Sequence, residues 1–330
     1  MAKLRIALAC WDYDRTRALM DGCVHVDGVD LIYHSLPVEE TFFRMLRHRE
    51  FDVAEMSLSS YLVSKFTPDD PFIAIPVFPS RFFRHSCIYI NERSGINEPK
   101  DLIGKRIGTP EYQMTAPAWI RGILADEYGV PVESVTYLTG GEEDPGRSEK
   151  LRLDLPPSIR VESIGPTQTL SAMLASGEID ALHTARMPSS YANRAPGVRR
   201  LFPDYPSVER AYYERTRIFP IMHTVVIRRD VYERDRWVAM SLMKAFIEAQ
   251  RIAYDDLQTT AVLKTMLPWV LAENERTREL MGDDYWPYGV EANEHVLETF
   301  TRYSFEQGLS KRKLSPAELF APETFEAFKI

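Results

Sequence analysis

The stretch Asp101–Gly129, DLIGKRIGTPEYQMTAPAWIRGILADEYG, decides the fold. It reads as a tight turn, a short strand over Lys105–Gly108, a polar loop over Thr109–Thr115 and an amphipathic helix from about Ala116. Pro117 suits the first turn of that helix. Ile120, Ile123 and Leu124 recur at helical spacing, and Gly129 stands where a left-handed residue ends a helix. A strand that runs through a small polar loop into a helix start offers an anion site, built from backbone N–H groups and the helix dipole. The same segment serves equally as an ordinary connection between two elements.

Upstream, strand and helix patterns alternate: strands over Leu4–Ala9, Val29–His34, Phe51–Met56, Ile73–Val77 and Ser86–Asn91, with helices over Arg15–Asp21, Val38–Arg47 and Ser60–Lys65. Such alternation predicts a mainly parallel sheet flanked by helices. Downstream, Gly140–Pro157 is a polar excursion, followed by a strand at Arg160–Ser163, a helix over Pro166–Ser176 and a strand at Ile179–Leu182. Arg199–Phe219 has no clear period; its aromatic part, Tyr205–Phe219, suits either an interface between copies or packing on a hinge. After a strand at Met222–Ile227 the pattern is helical: Trp237–Ala253, Thr259–Leu267, Glu275–Met281, Glu291–Glu306 and Pro316–Leu319. A helical C-terminus that packs back on the first domain makes Ser86–Asn91 and Met222–Ile227 the crossovers between lobes. The expected division is 1–90 plus 223–330 for one lobe and 91–222 for the other, with a ligand in the cleft between them.

The chain has 330 residues, enough for about two domains. Its 45% hydrophobic and 27% charged content is that of an ordinary globular protein. A net charge of −8 argues against nucleic acid or an anionic membrane as partner, yet leaves room for a small anion held by local arginines. Cys10, Cys23 and Cys87 lack metal spacing and fit a reducing compartment. The opening MAKLRIALAC reads as a strand rather than a secretory signal. No apolar run reaches membrane-spanning length, so a cytoplasmic location is expected.

Four segments occur in order: CWDYDRTRAL from Cys10, PVEETFFRMLRHREFDVAEMSLSSY from Pro37, FPSRFFRHSCIYIN from Phe78 and DLIGKRIGTPEYQMTAPAWIRGIL from Asp101. Together they resemble the 4,5-dihydroxyphthalate decarboxylase family of bacterial phthalate degradation, on the type 2 periplasmic-binding-protein fold, over nearly the whole chain. The resemblance implies a two-lobed α/β fold with a central cleft. It also implies a cofactor-independent lyase that removes one carboxylate from a catechol dicarboxylate, giving protocatechuate and carbon dioxide. An arene carboxylate resists decarboxylation because the electron pair left behind lies outside the π system; protonating the ring carbon removes that obstacle. Such a site needs a general acid, a group for the phenolic proton, and cations or N–H donors for the retained carboxylate. The fold also hosts transport receptors and other enzymes. A solute-binding protein for an aromatic carboxylate and a chorismate dehydratase-like lyase therefore stay open.

Candidate groups lie at predicted strand ends, where open α/β sheets bind ligands. Asp12, Asp14 and Arg15 follow the first strand. Glu55 sits beside apolar neighbours in the third, where burial favours a protonated carboxyl able to act as an acid; a paired core residue is the plain alternative. Ser57 and Ser59 either cap the next helix or bind a carboxylate. Arg81, Arg84 and His85 suit a dianion, although a solvated basic loop has the same composition. His183 and Arg186 edge the second lobe, and His223 lies on the return crossover, within reach of His85 if both crossovers line the hinge. Glu55, His85 and His223 are the expected catalytic residues. Thr109, Tyr112 and Gln113 would supply donors from the second lobe. His25, His34, His48 and His295 are given no role. No metal spacing occurs, and a divalent site from Glu55 and distant histidines stays open.

Overall fold

The computed structural model describes residues 3–325. The chain begins β1 (Leu4–Ala9), α1 (Asp14–Met20), β2 (Val29–His34), α2 (Val38–His48), β3 (Val53–Ser57), α3 (Leu58–Ser64) and β4 (Phe72–Ile75). It continues β5 (Ile88–Asn91), β6 (Arg106–Thr109), α4 (Thr115–Tyr128), β7 (Thr136–Thr139), β8 (Arg160–Ser163), α5 (Leu170–Ser176), β9 (Ala181–His183), α6 (Ser189–Ala192), β10 (Val198–Arg200) and α7 (Tyr205–Thr216). It closes with β11 (His223–Arg228), α8 (Arg229–Arg234), α9 (Trp237–Leu257), α10 (Val270–Met281) and α11 (Glu294–Glu306).

Two sheets result, in the orders β2-β1-β3-β11-β4 and β10-β5-β9-β6-β7-β8. In the first, β11 runs antiparallel to both its neighbours while β1 is parallel to β2 and β3. β3 is central and buried at all five residues, which is why VAEMS lacks the alternation of a half-exposed strand. The two connections between sheets lie side by side. Phe82 N–H donates to Pro220 O, Met222 N–H donates to Ser80 O, and Arg81 bridges Ile221. The passage into the second sheet therefore comes before Ile88, and β5 lies wholly in that sheet; the division expected at residue 90 falls inside a strand.

The C-terminal helices do more than return to the first lobe. α9 packs on α1, but α11 packs on both α3 and α4. Trp119 of α4 stacks on Phe300 at 5.0 Å, and Arg121 Nε donates to Gln307 Oε1 at 2.8 Å. Other expectations also change. Arg199–Phe219 holds the end of β10 and all of α7; its Tyr213 packs edge-on to Phe83 beside the crossing. Thr259–Leu267 is irregular, because Val262, Leu263, Met266 and Leu267 find no surface to cover them and a helix there would have no buried face. The helix expected from Pro166 starts at Leu170, where the Thr169 side chain caps it. No described helix is long and apolar enough to cross a membrane.

Candidate active site

A cavity of about 340 Å³ opens between the sheets, lined from the first by Trp11, Tyr13, Glu39, Phe42, Ser57 and His223 and from the second by Thr115, Lys150, Ala185 and Arg186. Ser80, Arg84 and Met222, from the two connections, complete its floor.

Strand register builds its central pair. In the β3–β11 ladder His223 faces Ser57 and Val225 faces Glu55. Glu55 and His223 are thus diagonal neighbours on one face, within reach of long side chains. His223 Nδ1 lies 2.6 Å from Glu55 Oε1. β1 ends beside β3, with Ala9 opposite Ala54, so the chain leaving β1 passes over Glu55. Tyr13 O–H donates to Glu55 Oε1 at 2.7 Å, Trp11 N–H donates to Oε2 at 3.1 Å, and the Cys10 thiol lies 3.6 Å from Oε2.

This environment overturns the expected protonated Glu55. Burial alone would raise its pKa, but the charge and hydrogen bond of His223, with the Tyr13 and Trp11 donors, hold the carboxyl below its ordinary value. A carboxyl held low acts as an acceptor, which assigns the hydrogen of the shared contact to Nδ1 of His223 and leaves Nε2 for the cavity.

The other wall is charged. Glu39 on α2 accepts both terminal nitrogens of Arg147 at 3.1 Å and pairs with Arg186 at 3.2 Å. Arg147 also donates to Glu111, which pairs with Lys150. Burial would raise Glu39, but Arg147 and Arg186 outweigh it and keep the carboxyl low. Arg84 differs. It is 6% exposed, lies over the Phe82 ring at 4.6 Å, and contacts Met222 Sδ at 3.1 Å, Cys87 Sγ at 3.5 Å and Ala185 O at 3.4 Å. Among the described residues it has no carboxylate partner. Of the charged side chains on the cavity wall, Lys150 and Arg186 are thus paired, with Glu111 and Glu39, and Arg84 is the cation left without a carboxylate.

Of the candidates, Ser57, Arg84, Arg186 and His223 line the cavity, and Glu55 lies behind His223; the remaining candidates do not reach it. Asp12 and Asp14 pair with Arg17 and Arg15, and the turn between β1 and α1, closed by Tyr13 N–H donating to Trp11 O, gives the cavity Trp11 and Tyr13 instead. Arg15 lies over the Tyr13 and Trp286 rings, outside the lining. Ser59 contributes its N–H to Thr115 Oγ1 at 3.0 Å, and its hydroxyl is buried elsewhere. Arg81 clamps the carbonyls of Phe219 and Pro287 and the Asn293 side chain. His85 does not meet His223: it is packed among Tyr128, Phe202 and Tyr212, and burial with the Arg215 charge pushes its pKa down to about 4. His183 is buried with both ring nitrogens unpartnered, and burial with the Arg121 charge takes it to about 3.

The loop of Asp101–Gly129 is likewise occupied. N–H groups of Tyr112 and Gln113 donate to the Glu149 carboxylate, so the anion it holds is the chain's own. Thr109 turns inward to Glu111 O, Tyr112 O–H donates to Gln307 O, and Gln113 Nε2 binds Glu149 and Leu151 O. The segment reaches the cavity through Met114, Thr115 and Ala116 at the start of α4. Tyr13, Glu39, Thr115 and Lys150 are lining residues that sequence reasoning missed. Among the described residues no group of three or more His, Cys, Asp and Glu could hold a metal ion.

No protein-family model matches the chain. A Comamonas testosteroni protein named 4,5-dihydroxyphthalate decarboxylase is 44% identical over 330 residues, covering 100% of both chains. The chain belongs to the 4,5-dihydroxyphthalate decarboxylase family. A Pseudomonas putida member of this family is 48% identical over 204 residues, 62% of this chain and 79% of that protein. Among solved structures, the periplasmic aliphatic sulphonate binding protein SsuA from Escherichia coli matches with a TM-score of 0.52 at 15% identity, over 98% of this chain and 99% of that one. A mutant of the desulfurization enzyme DSZB, in complex with biphenyl-2-sulfinic acid, matches with a TM-score of 0.52 at 15% identity over 98% of both chains. At those identities the likeness is one of fold: the two-lobed architecture of the binding proteins carries this family too.

Proposed function

We propose that the cavity decarboxylates 4,5-dihydroxyphthalate to 3,4-dihydroxybenzoate and carbon dioxide, with His223 as the proton donor to the ring. The observation that carries this reading is the Glu55–His223 pair beside a cavity whose wall also presents an unpaired cation, Arg84. Membership of the decarboxylase family supports it.

A wall with three cations, one of them unpaired, suits an anionic aromatic substrate. Arg84, buried and without a carboxylate of its own, is the group for the retained carboxylate, where a charge-assisted bond is strong. Lys150 and Arg186 already balance Glu111 and Glu39 and contribute field rather than a vacant partner.

Each carboxylate-bearing carbon of this substrate has a hydroxyl para to it, which feeds electron density to that carbon. The His223 imidazolium gives its Nε2 proton to the ring carbon, and the ring becomes a cation stabilised by the para oxygen. The bond to the carboxylate then breaks, its electron pair restores the aromatic ring, and carbon dioxide leaves. Glu55 stabilises the imidazolium beforehand and fixes the ring with Nε2 outward, the arrangement general acid catalysis needs. Neutral His223 regains its proton from solvent.

The test is incubation of the purified protein with 4,5-dihydroxyphthalate, following carbon dioxide release and 3,4-dihydroxybenzoate by chromatography. Stoichiometric formation of both is expected. A raised Tm with the ligand recovered intact would select a binding protein instead.

A further inference from the structure

Two donors share one oxygen at the heart of the site. Glu55 Oε1 receives Tyr13 O–H at 2.7 Å and faces His223 Nδ1 at 2.6 Å, while Oε2 faces Trp11 N–H and the Cys10 thiol. Glu55 is 0% exposed, so no solvent competes with these contacts. Tyr13 also lines the cavity, and its ring is held by the Arg15 guanidinium at 4.2 Å.

We propose that Tyr13 is a positioning residue that sets the acidity of His223 by drawing on the same Glu55 oxygen. The inference rests on His223 as the proton donor. Each hydrogen bond to a carboxylate oxygen lowers its basicity, and in a dry site the effect is not diluted by water. With Tyr13 in place, Glu55 holds the Nδ1 hydrogen less strongly and stabilises the imidazolium less, so Nε2–H is a stronger acid. Without it, the carboxylate acts on His223 with less competition. The ring then stays protonated to higher pH but gives its proton to carbon more slowly.

The other groups around His223 are Glu39 on α2, Arg84 at the crossing, and Lys150 and Arg186 from the second lobe, with the Phe42 ring edge-on at 4.8 Å. Tyr13 contacts none of their charged atoms, so their effect is common to the native protein and a Tyr13 variant.

Tyr13→Phe keeps the ring and removes only the hydroxyl. In NMR titrations of the intact protein without substrate, the His223 ring in this variant is expected to titrate about one pH unit higher, the size of one hydrogen bond to a charged group. The high-pH limb of kcat should move up by the same amount, with a lower plateau and an unchanged Tm. An unmoved or lowered His223 titration overturns the proposal. Because this measurement needs no turnover, it stands apart from the decarboxylase reading. If His223 titrates higher while the kcat limb stays fixed, the coupling exists but His223 is not the donor, and the role assigned to Tyr13 in the reaction falls with it. A lower kcat with neither quantity moved assigns Tyr13 a packing role only.

Discussion

Glu55 and His223 stand 168 residues apart in sequence, yet their carboxylate and imidazole lie 2.6 Å apart on adjacent strands. In the proposed reaction this carboxyl, held below its ordinary pKa by its donors, charges and orients the histidine. Glu55→Gln keeps the shape but loses the balancing charge. We expect kcat on 4,5-dihydroxyphthalate to fall by about 10²-fold or more, within the range for an impaired general acid, with KM little changed. Steady-state kinetics check this.

Arg84 is the cavity cation with no carboxylate partner among the described residues. Arg84→Gln should raise KM by about 10- to 100-fold, as expected for loss of a charge-assisted hydrogen bond. Its thermal stability should hold, since no ion pair is broken. A raised KM accompanied by a collapsed Tm would instead mark Arg84 as structural.

Two histidines the fold keeps neutral make stability depend on pH. His85 and His183 have pKa values pushed down to about 4 and about 3, first by burial and then by the Arg215 and Arg121 charges. The unfolded chain binds these protons near the ordinary 6.5, whereas the folded chain resists them. Their contribution is therefore complete above that value and is lost as pH falls toward the folded values. The Tm should drop over this window. His85→Phe, placed among Tyr128, Phe202 and Tyr212, should flatten the drop and leave kcat unchanged, as a series of thermal melts against pH would show.

The join between α4 and α11 tolerates no extra carbon at Gly122. A Cβ there would lie 2.2 Å from Tyr303 Cδ2 and 2.3 Å from Cε2. Alanine gains about 1 kcal/mol in helix propensity, but a clash with a buried ring costs about 1–3 kcal/mol, and the separation is so short that the clash prevails. Gly122→Ala should destabilise the protein in denaturant titrations, and adding Tyr303→Leu should restore part of the loss.

Local pattern revealed much of the fold. β1, β2, α2 and the β6–α4 unit follow from periodicity and end signals that lie within each segment. The candidate site was legible only where one residue's type carried the information: Ser57 and His223 are polar groups at strand ends, and Arg84 and Arg186 are cations in the connections nearby. What stayed hidden is set by pairing across the chain. The Glu55–His223 contact depends on the register of β3 against β11, which neither segment specifies alone. Asp12 and Asp14 attract notice by charge, but the turn between β1 and α1 presents Trp11 and Tyr13 to the cavity. Arg81 and Arg84 look alike in sequence, and only the tertiary structure shows that Arg81 clamps the carbonyls of Phe219 and Pro287 while Arg84 reaches the cavity wall. Arg147 and Lys150 lie in a polar stretch whose composition says loop and nothing about where its side chains go.

The most direct measurement is kcat of purified His223→Gln on 4,5-dihydroxyphthalate, with product quantified by chromatography. Glutamine can hydrogen-bond Glu55 but cannot deliver a proton from an ionised ring. A fall of about 10²-fold or more, with Tm and substrate-induced stabilisation retained, is predicted for a lost general acid. A kcat close to that of the unaltered protein would contradict His223 as the donor of the ring proton.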